Sequence, residues 1–153
     1  RFLLFWQPPK LPAFIETLQL LILQKIENSE YNALFRKDFK DLGGTYIQVG
    51  TVLRELCQEQ RLRRIGHGIY GKTEVCTIEP FVGRVILSAG LTELAPEALT
   101  RLGYNVVPSQ AVLDYNAGTS TQVPTGRKLR IQGKRTSRKF SHNKAVIYYE
   151  YVN

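Results

Sequence analysis

Between Thr45 and Lys72 the hydrophobic period switches within a few residues, and this switch constrains the fold more than any other stretch of the chain. Val49, Val52, Leu53, Leu56 and Cys57 recur at three- and four-residue spacings, the stripe by which an amphipathic helix docks on its own core. Thr45 and Gln48 stand at capping-box spacing, so the threonine side chain can accept from the backbone three residues on while the glutamine reaches back. Directly after it, Arg61-Leu-Arg-Arg-Ile65 and Ile69-Tyr-Gly-Lys72 flank Gly66-His67-Gly68, which reads as two short strands around a glycine-rich tip.

The upstream sequence supplies the rest of that unit. Residues 13–27 predict a helix, with Phe14, Ile15, Leu18, Leu21, Ile22 and Ile26 on one stripe. Ala33–Phe35 suits a short strand, and residues 36–42 a second helix with Phe39 and Leu42 inward, broken by Gly43-Gly44. Helix, strand, short helix, glycine turn, capped helix and basic hairpin is the order of a winged helix-turn-helix.

Residues 73–90 are expected to be a linker ending in the apolar Val85-Ile86-Leu87. Leu91, Leu94, Ala95, Ala98, Leu99 and Leu102 form another stripe, with Pro96 expected at the start of the regular helix and Gly103 at its end. A strand over Tyr104–Val107 and a helix from Pro108-Ser109 to Ala117 follow. Lys128–Gln132, Arg138–Ser141 and Val146–Val152 predict a small antiparallel sheet. The expected fold is α+β: an N-terminal arm (1–12), a winged helix-turn-helix (13–75), and a small mixed helix and antiparallel-sheet domain (76–153).

The chain of 153 residues carries a net charge of +8, and the distribution of that charge is informative. Residues 115–149 hold eight Lys and Arg and no Asp or Glu; setting them aside leaves thirteen residues of each sign. A local basic excess points to nucleic acid or an acidic partner. The two cysteines, Cys57 and Cys76, form neither a disulfide framework nor a zinc pattern, and Cys57 is expected as an inward thiol. A cytoplasmic setting fits that usage. Phe2-Leu-Leu-Phe-Trp6 is too short to span a bilayer, is cut by Pro8-Pro9, and has no small-residue cleavage site directly after it, so no membrane association is expected.

The outer face of the capped helix offers Tyr46, Gln48, Thr51, Arg54 and Gln58, polar groups suited to base edges in a major groove. The hairpin offers Arg61, Arg63, Arg64, His67 and Lys72 for the phosphate backbone, and Lys37 and Lys40 on the preceding helix could hold phosphates across the groove. Double-stranded DNA bound by a pair of molecules is the expected partner; the same unit also serves elsewhere as a protein-interaction module. Arg127, Lys128, Arg130, Lys134, Arg135, Arg138 and Lys139 are candidates for further phosphate or acidic-partner contacts, or a solvated sheet face. Tyr148, Tyr149 and Tyr151 beside them raise the option of stacking RNA bases. No catalytic, metal or cofactor site is expected. His67 and His142 lack ligands at metal spacing, no phosphate-binding glycine loop is present, and Ser88-Ala-Gly90 lacks the flanks of a nucleophile elbow.

Phe35-Arg-Lys-Asp-Phe-Lys-Asp-Leu-Gly43, Val52-Leu-Arg-Glu-Leu56 and Arg61-Leu-Arg-Arg-Ile-Gly-His-Gly-Ile-Tyr70 resemble the start of AbiEi-like abortive-infection antitoxins and their bacterial relatives. Val107-Pro-Ser-Gln-Ala111 and Gly118-Thr-Ser-Thr-Gln-Val-Pro124 resemble a second-domain signature of the same proteins, extending the likeness over roughly residues 15–142. The resemblance implies an antitoxin-like regulator whose winged helix binds operator DNA and represses its own operon. It also implies a C-terminal domain that opposes a nucleotidyltransferase-like toxin. Longer relatives continue past the position of His142, where Ile147–Val152 here reads as a closing strand.

Overall fold

The computed structural model describes residues 13–153, with side chains from Glu16 onward. The expected N-terminal arm and the inward side chains of Phe14 and Ile15 lie outside that range. The fold is α+β. Helix α1 (Ala13–Asn28) leads into strand β1 (Ala33–Phe35), a 3-10 helix (Arg36–Leu42) and helix α2 (Tyr46–Gln58). Strands β2 (Leu62–Gly66) and β3 (Ile69–Val75) form the hairpin, and β4 (Val85–Leu87) follows. Helix α3 (Leu91–Arg101), strand β5 (Asn105–Val107), helix α4 (Gln110–Asn116), and strands β6 (Lys128–Gln132), β7 (Ser141–His142), β8 (Ala145–Val146) and β9 (Tyr148–Val152) complete the chain.

The first sheet has the order β1-β3-β2, all antiparallel, with β4 on the far half of β3. Its two faces are both covered. Leu34, Leu62 and Tyr70 pack with Leu18, Ile22 and Ile26 of α1, Phe39 of the 3-10 helix, and Val49, Val52, Leu53 and Leu56 of α2. Ala33, Phe35, Ile65 and Ile69 point the other way, into a second cluster with Leu91, Leu94, Ala95, Ala98 and Leu99 of α3, Leu129 and Ile131 of β6, Phe140 and Ile147. Successive strand residues face opposite sides, so β1 can be apolar at all three positions because each side has a core to meet. Gly71 lies on the second side, where an added Cβ would come within 2.8 Å of Leu87 and Leu94 side chains. The expected division at residue 75 therefore falls between β3 and its partner β4, and the second cluster draws on both sides of it.

Helix α3 also closes the open edge of β1. Glu97 accepts from the Ala33 N–H, and Arg101 donates to the Ala33 carbonyl at 2.9 Å. The same guanidinium makes a two-pronged pair with Asp38 of the 3-10 helix, at 2.8 and 3.0 Å. Backbone groups at a sheet edge must find partners, and here side chains one helical turn apart provide them.

Several expectations are corrected. Residues 36–42 do form the expected short helix, wound as a 3-10 helix, with Phe39 buried and Leu42 half-buried. Residues 73–90 are not simply a linker: Thr73–Val75 extend β3 and Val85–Leu87 pair with them. Helix α3 begins five residues before Pro96, as the Glu93 and Leu94 N–H groups on the Gly90 carbonyl show. Only a helix there carries Leu91, Leu94 and Ala95 into the core, which outweighs the single bond that Pro96 cannot donate. The C-terminal sheet is mixed, with β5 antiparallel to β6 but β9 parallel to it. The chain between β6 and β9 crosses back through the β7–β8 hairpin, which lets β9 run in the same direction. The expected strand 146–152 is interrupted where Ile147 turns into the core. Cys57 is half-buried and Cys76 buried.

Candidate nucleic-acid interface

Helix α2 starts as the sequence predicts: Thr45 Oγ1 accepts from Gln48 N at 3.2 Å, and Gln48 Oε1 accepts from Thr45 N at 2.9 Å. Its outer stripe runs Ile47, Thr51, Arg54, Gln58. Of the polar groups expected to face bases, two are engaged locally. Gln48 closes the cap, and Thr51 Oγ1 donates to the Ile47 carbonyl at 3.0 Å. Arg54 and Gln58 are exposed, and neither side chain is hydrogen-bonded to a described residue.

The N-terminal half of α2 faces the hairpin tip across a groove of about 470 Å³. Tyr46, Ile47, Thr51 and Arg54 line one wall, and Arg64, His67 and Tyr70 the other. Arg64 Nε donates to the Gly66 carbonyl at 3.1 Å and Nη2 lies 3.3 Å from His67 Nδ1, so both side chains stand together at the tip. Arg36, not anticipated from the sequence, underlies the groove. Its guanidinium donates to the Tyr46 carbonyl and stacks 3.5 Å from the Tyr46 ring centre. Gly50 leaves the space for it, because an added Cβ would fall on that guanidinium. A glycine in the middle of an otherwise well-formed helix is unfavourable by itself, and Gly50 was the available signal that something lies against the helix there.

The remaining hairpin cations are sorted by the fold. Lys72 donates to the Ser29 carbonyl at 2.8 Å and Arg63 to the Val85 carbonyl at 3.3 Å; both are half-buried and tie the hairpin to its neighbours. Both are thus engaged within the fold and lie apart from the groove lined by Arg54, Arg64 and His67. Arg61 is exposed beside Glu59, at 3.8 Å. Lys37 and Lys40 are exposed but line a different cleft, of about 600 Å³, with Tyr31, Asp38, Asp41 and Arg101.

The acid-free C-terminal stretch meets the hairpin. Arg138 Nη1 donates to the His67 carbonyl at 3.2 Å, and the Lys139 carbonyl sits where a Cβ on Gly66 would be 2.8 Å away. Arg138 and Lys139 therefore adjoin Arg64 and His67. Tyr149 and Tyr151 hold this segment by donating to the Arg138 and Thr136 carbonyls at 2.7 and 3.2 Å. These two rings are thus half-buried anchors, whereas Tyr148 is exposed. Arg130 pairs with Glu150 at 3.7 Å, Lys134 lies over Tyr104 and Arg135 over Tyr151, while Arg127 and Lys128 are exposed. The basic run divides into braces and free cations.

Burial pushes the Cys57 thiol up, an effect only partly offset by Arg64. Burial and the nearby Arg63 charge hold His142 below its usual range. Among the described residues no three His, Cys, Asp or Glu side chains gather as a metal site would require, and no helix is long and apolar enough to cross a membrane. Compared with protein-family models, curated proteins and solved structures, the chain matches none of them.

Proposed function

We propose that the protein is a DNA-binding transcriptional regulator in which α1 to β3 act as a winged helix-turn-helix, α2 entering the major groove and the β2–β3 tip tracking the backbone. The observation that carries this reading is the groove in which Arg54 of α2 faces Arg64 and His67 of the tip, with Arg138 fastened beside them. A recognition element needs cations toward phosphates and side chains toward base edges, and this wall-and-tip arrangement offers both. In this reading the protein is cytoplasmic, acts without catalysis, metal or cofactor, and binds an inverted repeat as a pair of molecules. The likeness to AbiEi-type antitoxins adds the expectation that the C-terminal half opposes a nucleotidyltransferase-like toxin.

A second reading, a protein-interaction module, draws on the exposed Ile78, Phe81 and Val82 in the loop between β3 and β4, which turns back on itself through the Phe81 N–H and the Ile78 carbonyl. Clustered exposed apolar side chains suit a protein partner.

The test is selection of duplexes from a random pool, followed by gel-shift titration across salt concentrations. Arg54→Ala is expected to lose discrimination at one base pair, worth about 1–3 kcal/mol. Arg64→Ala should weaken all sequences alike and lower the salt slope by about one phosphate contact. If wild type and both variants bind every duplex equally, or none is bound, the DNA reading fails.

A further inference from the structure

Resting on the DNA-binding reading above, we propose that Ile47 is a specificity-determining residue that reads the 5-methyl group of a thymine in the major groove. Ile47 is 76% exposed, more than any other exposed large hydrophobic side chain among the described residues. It is the second residue of α2, and the N-terminal residues of a recognition helix are those that reach base edges. Three observations turn an ordinary exposed side chain into a reader. Ile47 shares the outer stripe with Thr51 and Arg54, and all three line the groove opposite the hairpin tip. The polar groups nearest to it are withdrawn: Gln48 is bound in the cap, and the Thr51 hydroxyl donates to the Ile47 carbonyl itself. Tyr46 beside it stays exposed, with the Arg36 guanidinium lying over one face of its ring at 3.5 Å from the centre.

The outer stripe of α2 consequently begins with an aliphatic side chain, followed one and two turns later by the Thr51 side chain and the exposed Arg54 guanidinium. In the major groove the only aliphatic feature of a base pair is the thymine methyl. An apolar contact there distinguishes thymine from cytosine without a hydrogen bond, and Arg54 is left to read a purine acceptor further along.

The experiment replaces each thymine of a selected duplex, one at a time, by deoxyuridine, which removes only the methyl group. Wild type is expected to bind one such duplex about fourfold more weakly, the effect of losing one buried methyl group. Ile47→Ala should bind the thymine and uracil forms equally, with an unchanged salt slope because no phosphate contact is lost. As an exposed position, Ile47 tolerates this change without loss of the fold, and far-UV circular dichroism verifies that. Sequence-selective binding by wild type with no uracil effect at any thymine overturns the role of Ile47 while leaving the DNA reading intact. A uracil effect that persists in Ile47→Ala assigns the methyl to another residue and also overturns it. Absence of binding to any duplex overturns both.

Discussion

Tyr149 lies beneath the segment that braces the hairpin and donates its phenol proton to the Arg138 carbonyl at 2.7 Å. Burial, followed by the neighbouring phenols of Tyr151 and Tyr104, pushes its ionisation up from the ordinary 10 to about 12. Because the folded value exceeds the unfolded one, the stabilisation is fully present below 10 and is lost as pH rises toward 12. Tyr149→Phe should cost about 1 kcal/mol at neutral pH through the lost hydrogen bond. The gap in urea stability between wild type and variant should then narrow as pH rises past 10, and the latest step in the ultraviolet tyrosine titration should vanish. A gap independent of pH would assign the loss to packing alone. At this scale the sequence was only half legible. It named Arg54, Arg64 and His67, which share the groove, but also Arg63 and Lys72, which are half-buried and bonded to the Val85 and Ser29 carbonyls away from it. The reason is physical: both faces of this sheet are covered, and a bulge between Arg64 and Gly66 shifts the register, so alternation along β2 cannot say which arginine points outward.

Among the elements, the hairpin and the C-terminal segment are joined by close backbone approach. The Lys139 carbonyl occupies the space a Cβ on Gly66 would need, at 2.8 Å. Gly66 is not in the left-handed region, so a substitution there tests contact and not backbone strain. Gly66→Ala is expected to destabilise the protein by about 1–3 kcal/mol, since neither backbone can yield easily. Limited proteolysis should cut between residues 133 and 144 faster than in wild type. Stability within about 0.5 kcal/mol of wild type, with unchanged cleavage, would refute that packing. Elements set by local chemistry were readable in advance: the Thr45–Gln48 cap, the Lys128–Gln132 strand, and Gly103 and Gly118 as helix stops with positive φ. Elements set by distant partners were not. Pro96 misplaced the start of α3 because local propensity opposes what Leu91 and Leu94 require of the core. The parallel β6–β9 pairing depends on a crossover that no local pattern encodes.

On the scale of the whole molecule, the β1-β3-β2 sheet is a wall shared by two hydrophobic clusters, and this sets how the protein should unfold. Phe35, Ile65 and Ile69 are buried only because α3, β6, Phe140 and Ile147 cover their side of the sheet. Cutting the chain after residue 75 would expose all three, at about 1.5–3 kcal/mol each, or roughly 5–9 kcal/mol together. That approaches the entire stability of an ordinary domain, about 5–15 kcal/mol. The cut would also remove β4 from β3, and Glu97 and Arg101 from the edge of β1. A chain of residues 1–75 is therefore expected not to fold on its own, giving poorly dispersed amide resonances and no cooperative thermal transition. The full chain should unfold in one step, with far- and near-ultraviolet circular dichroism tracing the same midpoint. Two separate midpoints, or a cooperatively folded 1–75 fragment, would show instead that the sheet needs only its helical side. If the single transition holds, the groove lined by Arg54, Arg64 and His67 has its geometry set in part by the α3 and β6 core. Core substitutions such as Leu99→Ala, far from the groove, should then weaken duplex binding in proportion to the fraction of protein they unfold, and no further.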